Sequence, residues 1–162
     1  PRAVLIRGGS GAGKSRLAFE LLEAGRAGAL PFARLVGDDR VQLESAGGRL
    51  VVRPAAPLAG LIELRGVGIM RLPCEPAAVV GLVVDLGAAG ERLPDEQQQS
   101  TELHGIRLPR LAVAAGQAAL PAILALLTFC SESFVRRQSG TGGIIGTSGP
   151  ILTFASGFDR LV

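Results

Sequence analysis

Gly8-Gly9-Ser10-Gly11-Ala12-Gly13-Lys14-Ser15 has the order G-x-x-x-x-G-K-S, the pattern of a phosphate-binding loop. Glycine at this density lets successive backbone N–H groups turn inward and form an anion-binding nest. A helix starting at Lys14 adds the partial positive charge of its N-terminus. The Lys14 ammonium can then reach the β- and γ-phosphates of a nucleotide, and the Ser15 hydroxyl can ligate Mg²⁺. Of the 17 basic residues only Lys14 is a lysine, so the one flexible ammonium of the chain falls inside this loop.

Three further groups carry candidate chemistry. Arg34-Leu35-Val36-Gly37-Asp38-Asp39 ends a short apolar strand on two carboxylates. Beside a phosphate loop, Asp38 and Asp39 can hold Mg²⁺, directly or through water, or accept the proton of an attacking hydroxyl. Val79 to Asp85 is a second apolar run ending on an acid, so Asp85 is the alternative for that role; sequence alone does not order the strands. In Ile62-Glu63-Leu64-Arg65-Gly66-Val67-Gly68-Ile69, Glu63 and Arg65 are two apart and share a side of an extended chain. A carboxylate for a metal and a guanidinium for a transferring phosphoryl group suit phosphoryl transfer. A surface ion pair is the other reading of the same residues. His104, the lone histidine, precedes Gly105 and reads as structural or solvated, and Arg136 and Arg137 read as solvated charge.

The elements that must position these residues follow from the hydrophobic pattern. Ala3 to Arg7 reads as a strand before the loop, and Lys14 to Ala24 as a helix with Leu17, Ala18, Leu21 and Leu22 on one face and Gly25 as its C-cap. Phe32 to Val36 reads as a strand. Val41–Glu44 and Leu50–Val52 read as a hairpin around Ala46-Gly47-Gly48-Arg49. Leu61 to Leu64 is ambiguous between helix end and strand. Ile69–Leu72 and Val79–Leu86 are expected strands, residues 87–99 a polar surface loop, and short strands follow near 102–103, 106–108 and 111–113. Ala118 to Phe129 is the last helix, with Pro121 in its first turn.

Composition bounds the function. With 162 residues, 48% hydrophobic and 19% charged, the chain has the make-up of one globular domain rather than a disordered or coiled-coil protein. The expected division is a P-loop domain over 1–130 and a Gly/Ser-rich C-terminal tail over 131–162, a flexible or loosely packed segment or else a strand or arm that packs on another subunit. No apolar run reaches the ~20 residues of a spanning helix. No secretion signal is visible in these residues, and no membrane role is expected. The chain begins at Pro1 rather than methionine, so residues upstream are expected. Two cysteines, Cys74 and Cys130, and one histidine leave no zinc pattern, and a reducing cytoplasm is the default. A net charge of +3 without a dense basic run, and without Trp or Tyr, argues against nucleic-acid binding.

Taken together, the three blocks resemble the HPr kinase/phosphorylase family. Its members carry a GxxGxGKS loop, an Asp-Asp-x-Val block and an E-[IL]-R-G-[LV]-G-I signature. Here these are Gly8–Ser15, Asp38-Asp39-Arg40-Val41 and Glu63-Leu64-Arg65-Gly66-Val67-Gly68-Ile69, in the same order. The resemblance covers roughly residues 3–127 and is nearest to the short alphaproteobacterial type. It implies an α/β P-loop domain with a mixed sheet, similar to phosphoenolpyruvate carboxykinase. It also implies ATP- and Mg²⁺-dependent phosphorylation of a serine on HPr or an HPr-like phosphocarrier protein, in regulation of carbohydrate metabolism through the phosphotransferase system. By that analogy Asp38 is the general base with Asp39 beside it. Lys14 and the amides of Gly8, Gly9, Ser10, Gly11, Ala12 and Gly13 hold the phosphates. Ser15 and Glu63 ligate Mg²⁺, and Arg65 supports the phosphoryl group. In bifunctional members inorganic phosphate attacks the phosphoserine. Longer members carry a P-G-R-N loop before the last helix, where this chain has Ala114-Ala115-Gly116-Gln117 without the arginine. Assembly as a homo-oligomer, commonly a hexamer, is implied as well. The rival readings are a P-loop small-molecule kinase and a non-catalytic nucleotide-binding sensor.

Overall fold

The computed structural model describes residues 2–88, 95, 98–129 and, as backbone, 152–156. In chain order the elements are β1 (Arg2–Arg7), α1 (Lys14–Arg26), β2 (Ala33–Gly37), β3 (Val41–Ala46), β4 (Arg49–Pro54), a 3-10 turn (Ala56–Leu58), β5 (Leu61–Leu64), β6 (Gly68–Arg71), β7 (Ala78–Leu86), β8 (Ser100–Leu103), β9 (Ile106–Val113), α2 (Leu120–Phe129) and β10 (Leu152–Ser156). The expected α/β fold with a mixed sheet is present. Among the described residues no helix is long and apolar enough to cross a membrane.

Among the described residues, eight strands form one sheet. Its spine is β2-β10-β1-β7, all parallel. The start of β7 continues into the antiparallel hairpin β4–β3, and its end pairs with β9, which carries β8. Because β7 passes its free edge from one partner to another, the sheet curls. One face carries α1, α2 and the separate ribbon β5–β6, and the other closes between the two hairpins.

Side-chain alternation along β1 supplies both cores. Val4 and Ile6 point toward the helices, while Ala3 and Leu5 point to the hairpin side; all four are buried. β7 changes parity midway, so that Val80 and Val83 share the hairpin side. The cause is a bulge at Gly81: Ala3 pairs with Val80, but Val4 pairs with Leu82.

Helix α1 runs two residues beyond the expected end, and Gly25 is not its cap. A Cβ on Gly25 would lie 2.5 Å from the Ala33 Cβ, so this glycine lets the helix press against the start of β2. The helix ends at Arg26 with Ala27 as its cap, and Gly28, at φ +79, turns the chain away: Gly28 N–H donates to Gly25 O and Ala29 N–H to Ala24 O in a Schellman arrangement.

Four other expectations are refined. Leu61–Leu64 is a strand. The two short strands near 106–108 and 111–113 are one, β9. Pro109 stands where β9 changes from its antiparallel partner β8 to its parallel partner β7, so the missing N–H interrupts neither ladder for long. Helix α2 starts at Leu120, two residues later than expected, with Pro121 still in its first turn. Finally, Leu152–Ser156 lies inside the sheet, between β1 and β2. Cys130, Arg136, Arg137 and most of the loop after Gly87 lie outside the described residues.

Candidate active site

The parallel strands β1, β2 and β7 end on the same edge of the sheet, where ligands of open α/β sheets bind. β1 leads into the loop Gly8–Gly13. Gly8 adopts φ +153, and a Cβ there would sit 2.9 Å from the Leu86 carbonyl oxygen, so no other residue fits without displacing backbone. Gly13 caps α1 in a left-handed conformation. No side chain caps this helix end, and no acidic residue stands in its first turn, so its positive end faces the loop uncompensated by either. Lys14 Nζ arches over the loop and donates to Gly8 O at 2.7 Å and Gly9 O at 3.0 Å. Lys14 and Ser15 are half-buried, whereas Ser10, Gly11 and Ala12 are exposed.

Asp38 follows the last residue of β2 and is 5% exposed, the one buried charged side chain among the described residues. A carboxylate removed from water needs donors. One is the backbone N–H of Glu63, 3.0 Å from Asp38 Oδ2. That bond ties the end of β2 to the ribbon β5–β6. The ribbon turns its apolar side, Ile62, Leu64 and Met70, onto the helix-face core. Glu63 and Ile69, paired across the ribbon, face outward instead. Arg65 stands exposed in the turn between β5 and β6, and Asp39 is exposed beside Asp38. The structure thus joins Asp38 to Glu63, from blocks far apart in sequence. β10 lies between β1 and β2, so their mean separation is about 10 Å at ~4.8 Å per strand. A gap of that width leaves room for a phosphate chain and an acceptor hydroxyl between loop and carboxylate.

Asp85, the alternative acid, is otherwise engaged. Arg7 Nε and Nη2 donate to its two oxygens at 2.6 and 2.7 Å, and Arg110 Nε donates to Oδ2 at 2.5 Å. Burial raises the Asp85 pKa, but the hydrogen bonds and charges of Arg7 and Arg110 outweigh it and hold the carboxyl below its ordinary value. A carboxylate so saturated has little left to offer a metal. Sequence reasoning overlooked Arg7 and Arg110. For Arg7 the available signal was a charged residue closing an otherwise apolar strand; Arg110 lies inside β9 beside no such signal, and pairing either with Asp85 needs the strand register.

His104 takes φ 51 in the two-residue turn between β8 and β9 and is exposed, which assigns it a turn role. No group of three or more His, Cys, Asp or Glu that could hold a metal occurs among the described residues. Mg²⁺ on a nucleotide does not need such a cage, since it keeps waters and phosphate oxygens as ligands. The hydroxyl of Ser15 and the carboxylate of Glu63 are oxygen donors of the kind it takes.

Comparison with known proteins gives the same picture of the fold. Residues 2–124 match the family model described as the HPr Serine kinase C-terminal domain. The HPr kinase/phosphorylase of Streptococcus thermophilus is 35% identical over 122 residues, covering 68% of this chain and 37% of that protein. The HPr kinase/phosphorylase of Clostridium tetani is 39% identical over 70 residues, covering 43% of this chain and 21% of that protein. The matched residues thus span from about a fifth to little more than a third of the length of these relatives. The solved HPr(Ser) kinase/phosphatase from Coxiella burnetii superposes with a TM-score of 0.61 at 22% identity, covering 84% of this chain and 90% of that one.

Proposed function

The chain belongs to the HPr serine kinase C-terminal domain family, and we propose that it transfers the γ-phosphoryl group of ATP to a serine hydroxyl of HPr or an HPr-like phosphocarrier protein. The observation that carries this reading is the bond from Glu63 N–H to a buried Asp38 at the strand edge that also carries the phosphate loop. A buried, oriented carboxylate beside a triphosphate suits proton acceptance from a hydroxyl better than it suits nucleotide binding alone.

In this reading Lys14 and the N–H groups of Gly8 to Gly13 hold the β- and γ-phosphates and neutralise charge that builds in the transition state. Ser15 and Glu63 would hold Mg²⁺, which screens the phosphate oxygens. Asp38 takes the proton of the serine hydroxyl as its oxygen attacks phosphorus. Asp39, exposed next to it, adds negative potential that draws the hydroxyl proton inward. Arg65 supports the phosphoryl group on its way across. The kinase direction is the one proposed as the main activity. The relatives' name includes a phosphorylase, and the absence of an arginine in Ala114-Ala115-Gly116-Gln117 favours a weak reverse reaction here.

The division at residue 130 is part of the same proposal, with the kinase domain also taking β10 from the far side of the Gly/Ser-rich segment. A cytoplasmic location and a homo-oligomer, hexameric by resemblance, go with it. The test is intact-mass measurement of purified HPr after incubation with this chain, Mg²⁺ and ATP, beside an HPr whose acceptor serine is alanine. One added phosphate on the unaltered HPr only is the expected result. ATP consumption without any change in HPr mass would remove the protein-kinase reading.

A further inference from the structure

We propose that Asp85 is a positioning residue for the phosphate loop: by gripping Arg7 and Arg110 it fixes the loop's first residue against β7, and so sets the affinity for nucleotide phosphates. The inference rests on the reading that this loop binds ATP. It is carried by a run of contacts through consecutive register levels of the sheet.

Arg7 stands directly opposite Asp85 in the parallel pair β1–β7. Its guanidinium meets the carboxylate with two bonds, Nε to Oδ1 at 2.6 Å and Nη2 to Oδ2 at 2.7 Å. This two-point contact fixes direction as well as distance. Arg110, from β9, closes the other side through Nε to Oδ2 at 2.5 Å and reaches Gln98 O with Nη1 at 3.4 Å. One level further on, Gly8 lies so close to Leu86 that a Cβ would come within 2.9 Å of its carbonyl oxygen. Gly87 N–H then donates to Val113 O at 2.9 Å, tying the exit of β7 to β9. Gly8 O in turn accepts from Lys14 Nζ at 2.7 Å. Arg110, Asp85, Arg7, Gly8 and Lys14 thus form a continuous line from β9 to the phosphate-binding ammonium.

The three charged side chains are 13% exposed at Asp85, 23% at Arg7 and 25% at Arg110. At that burial solvent screens them less than a surface pair, and removing the carboxylate leaves two guanidinium groups facing each other. Two effects of neutralising Asp85 oppose one another. Through space, losing a negative charge near the loop strengthens phosphate binding. Through the contacts, releasing Arg7 loosens Gly8 and weakens it. The contacts are direct and the charge of Asp85 is already offset by two cations, so the second effect dominates.

The test measures ATP binding in the presence of Mg²⁺ by calorimetry, with the full chain. Asp85→Asn is expected to raise the dissociation constant about tenfold, between the effect of an exposed ion pair and that of a fully buried one. The rate constant for transfer to HPr at saturating ATP should stay within about twofold, the mark of a change in binding rather than in chemistry. In an Arg7→Met background the same substitution should add less than about twofold, because the two act through one contact. An unchanged dissociation constant with a lowered melting temperature would assign Asp85 a purely structural role and overturn the proposal. Tighter binding would do so too, as would a full tenfold effect in the Arg7→Met background. If Asp85→Asn does not fold, Arg110→Gln removes one arm only; a rise of about threefold supports the proposal and no rise overturns it. Failure of the unaltered chain to bind ATP would overturn the nucleotide reading itself, and this inference with it.

Discussion

The backbone N–H of Glu63 donates to Asp38 Oδ2 at 3.0 Å across 25 residues of sequence. This contact to Asp38 comes from main chain, not from the Glu63 side chain, which is left facing solvent. The two acids are adjacent yet separable: the carboxylate of Glu63 can be altered without freeing Asp38.

Asp38→Asn tests the proton-accepting role. The amide oxygen can still receive the Glu63 N–H, so the fold and ATP affinity are expected to survive. Phosphorylation of HPr should fall by about 10²–10⁴-fold, the usual worth of a general base. The readout is the initial rate of phosphoserine formation beside calorimetric ATP binding. A rate within tenfold of the unaltered chain would assign the proton to another group.

Lys14→Ala removes the ammonium that spans Gly8 and Gly9. A charged hydrogen bond of this kind is worth about 1.5–3 kcal/mol, so ATP affinity should drop roughly 10- to 100-fold. Adenosine, which offers no phosphate, should bind both proteins alike. An equal loss for adenosine would show that the loop has collapsed rather than lost a phosphate contact.

Asp85 links stability to acid. Its carboxyl is held below the ordinary value of 3.8, since the arginine contacts outweigh the opposing effect of burial. The unfolded chain therefore binds a proton at a pH where the folded chain does not. The stabilisation is complete well above 3.8 and is lost as pH falls through that value toward the depressed one. Melting temperatures followed from about pH 6 down to about pH 2 should fall more steeply for the unaltered chain than for Asp85→Asn. Parallel curves would mean that the pair contributes nothing to acid sensitivity.

The loop side of the site was the more legible in sequence, because a loop carries its chemistry in consecutive residues. Gly8 to Ser15 needs only a strand before it and a helix after it, and both were visible as periodic apolar patterns. The pairing of Asp38 with Glu63 was not readable from spacing, since it depends on a ribbon folding over the end of β2. Asp85 looked like a competing acid because its two arginine partners sit on other strands. Gly25 looked like a cap because glycine after an amphipathic run usually is one; the close approach to Ala33 is a tertiary fact. That the tail's strand β10 enters the chain's own sheet, rather than another subunit, is hidden for a simpler reason. Its short apolar run sits among Gly and Ser and has no local signal of a central strand.

Gly25→Ala measures that close approach. Helix propensity alone favours alanine by up to about 1 kcal/mol. Against it, the new methyl would meet the Ala33 Cβ at 2.5 Å and the Ala33 nitrogen at 3.2 Å, and neither can swing away. Overpacking of this kind costs about 1–3 kcal/mol, so the net effect is a melting temperature lower by a few degrees, roughly 2–5 °C. Ala33→Gly in the same chain should recover part of the loss. A higher melting temperature for Gly25→Ala would mean that helix and strand simply move apart.

Thr153→Pro tests whether β10 belongs to the working sheet. Thr153 pairs with Ala3 of β1 on one side and Arg34 of β2 on the other, so it lies within the parallel ladder between loop and carboxylate. Proline there has no N–H to donate and does not fit a central strand. With β10 displaced, the facing edges of β1 and β2 lose their partner and become sites for pairing with other chains. The expected outcome is loss of ATP binding together with aggregation visible by light scattering, while Thr153→Val, which suits a strand, leaves both unchanged. A monodisperse Thr153→Pro protein that binds ATP normally would show that β1 and β2 hold their spacing without this strand.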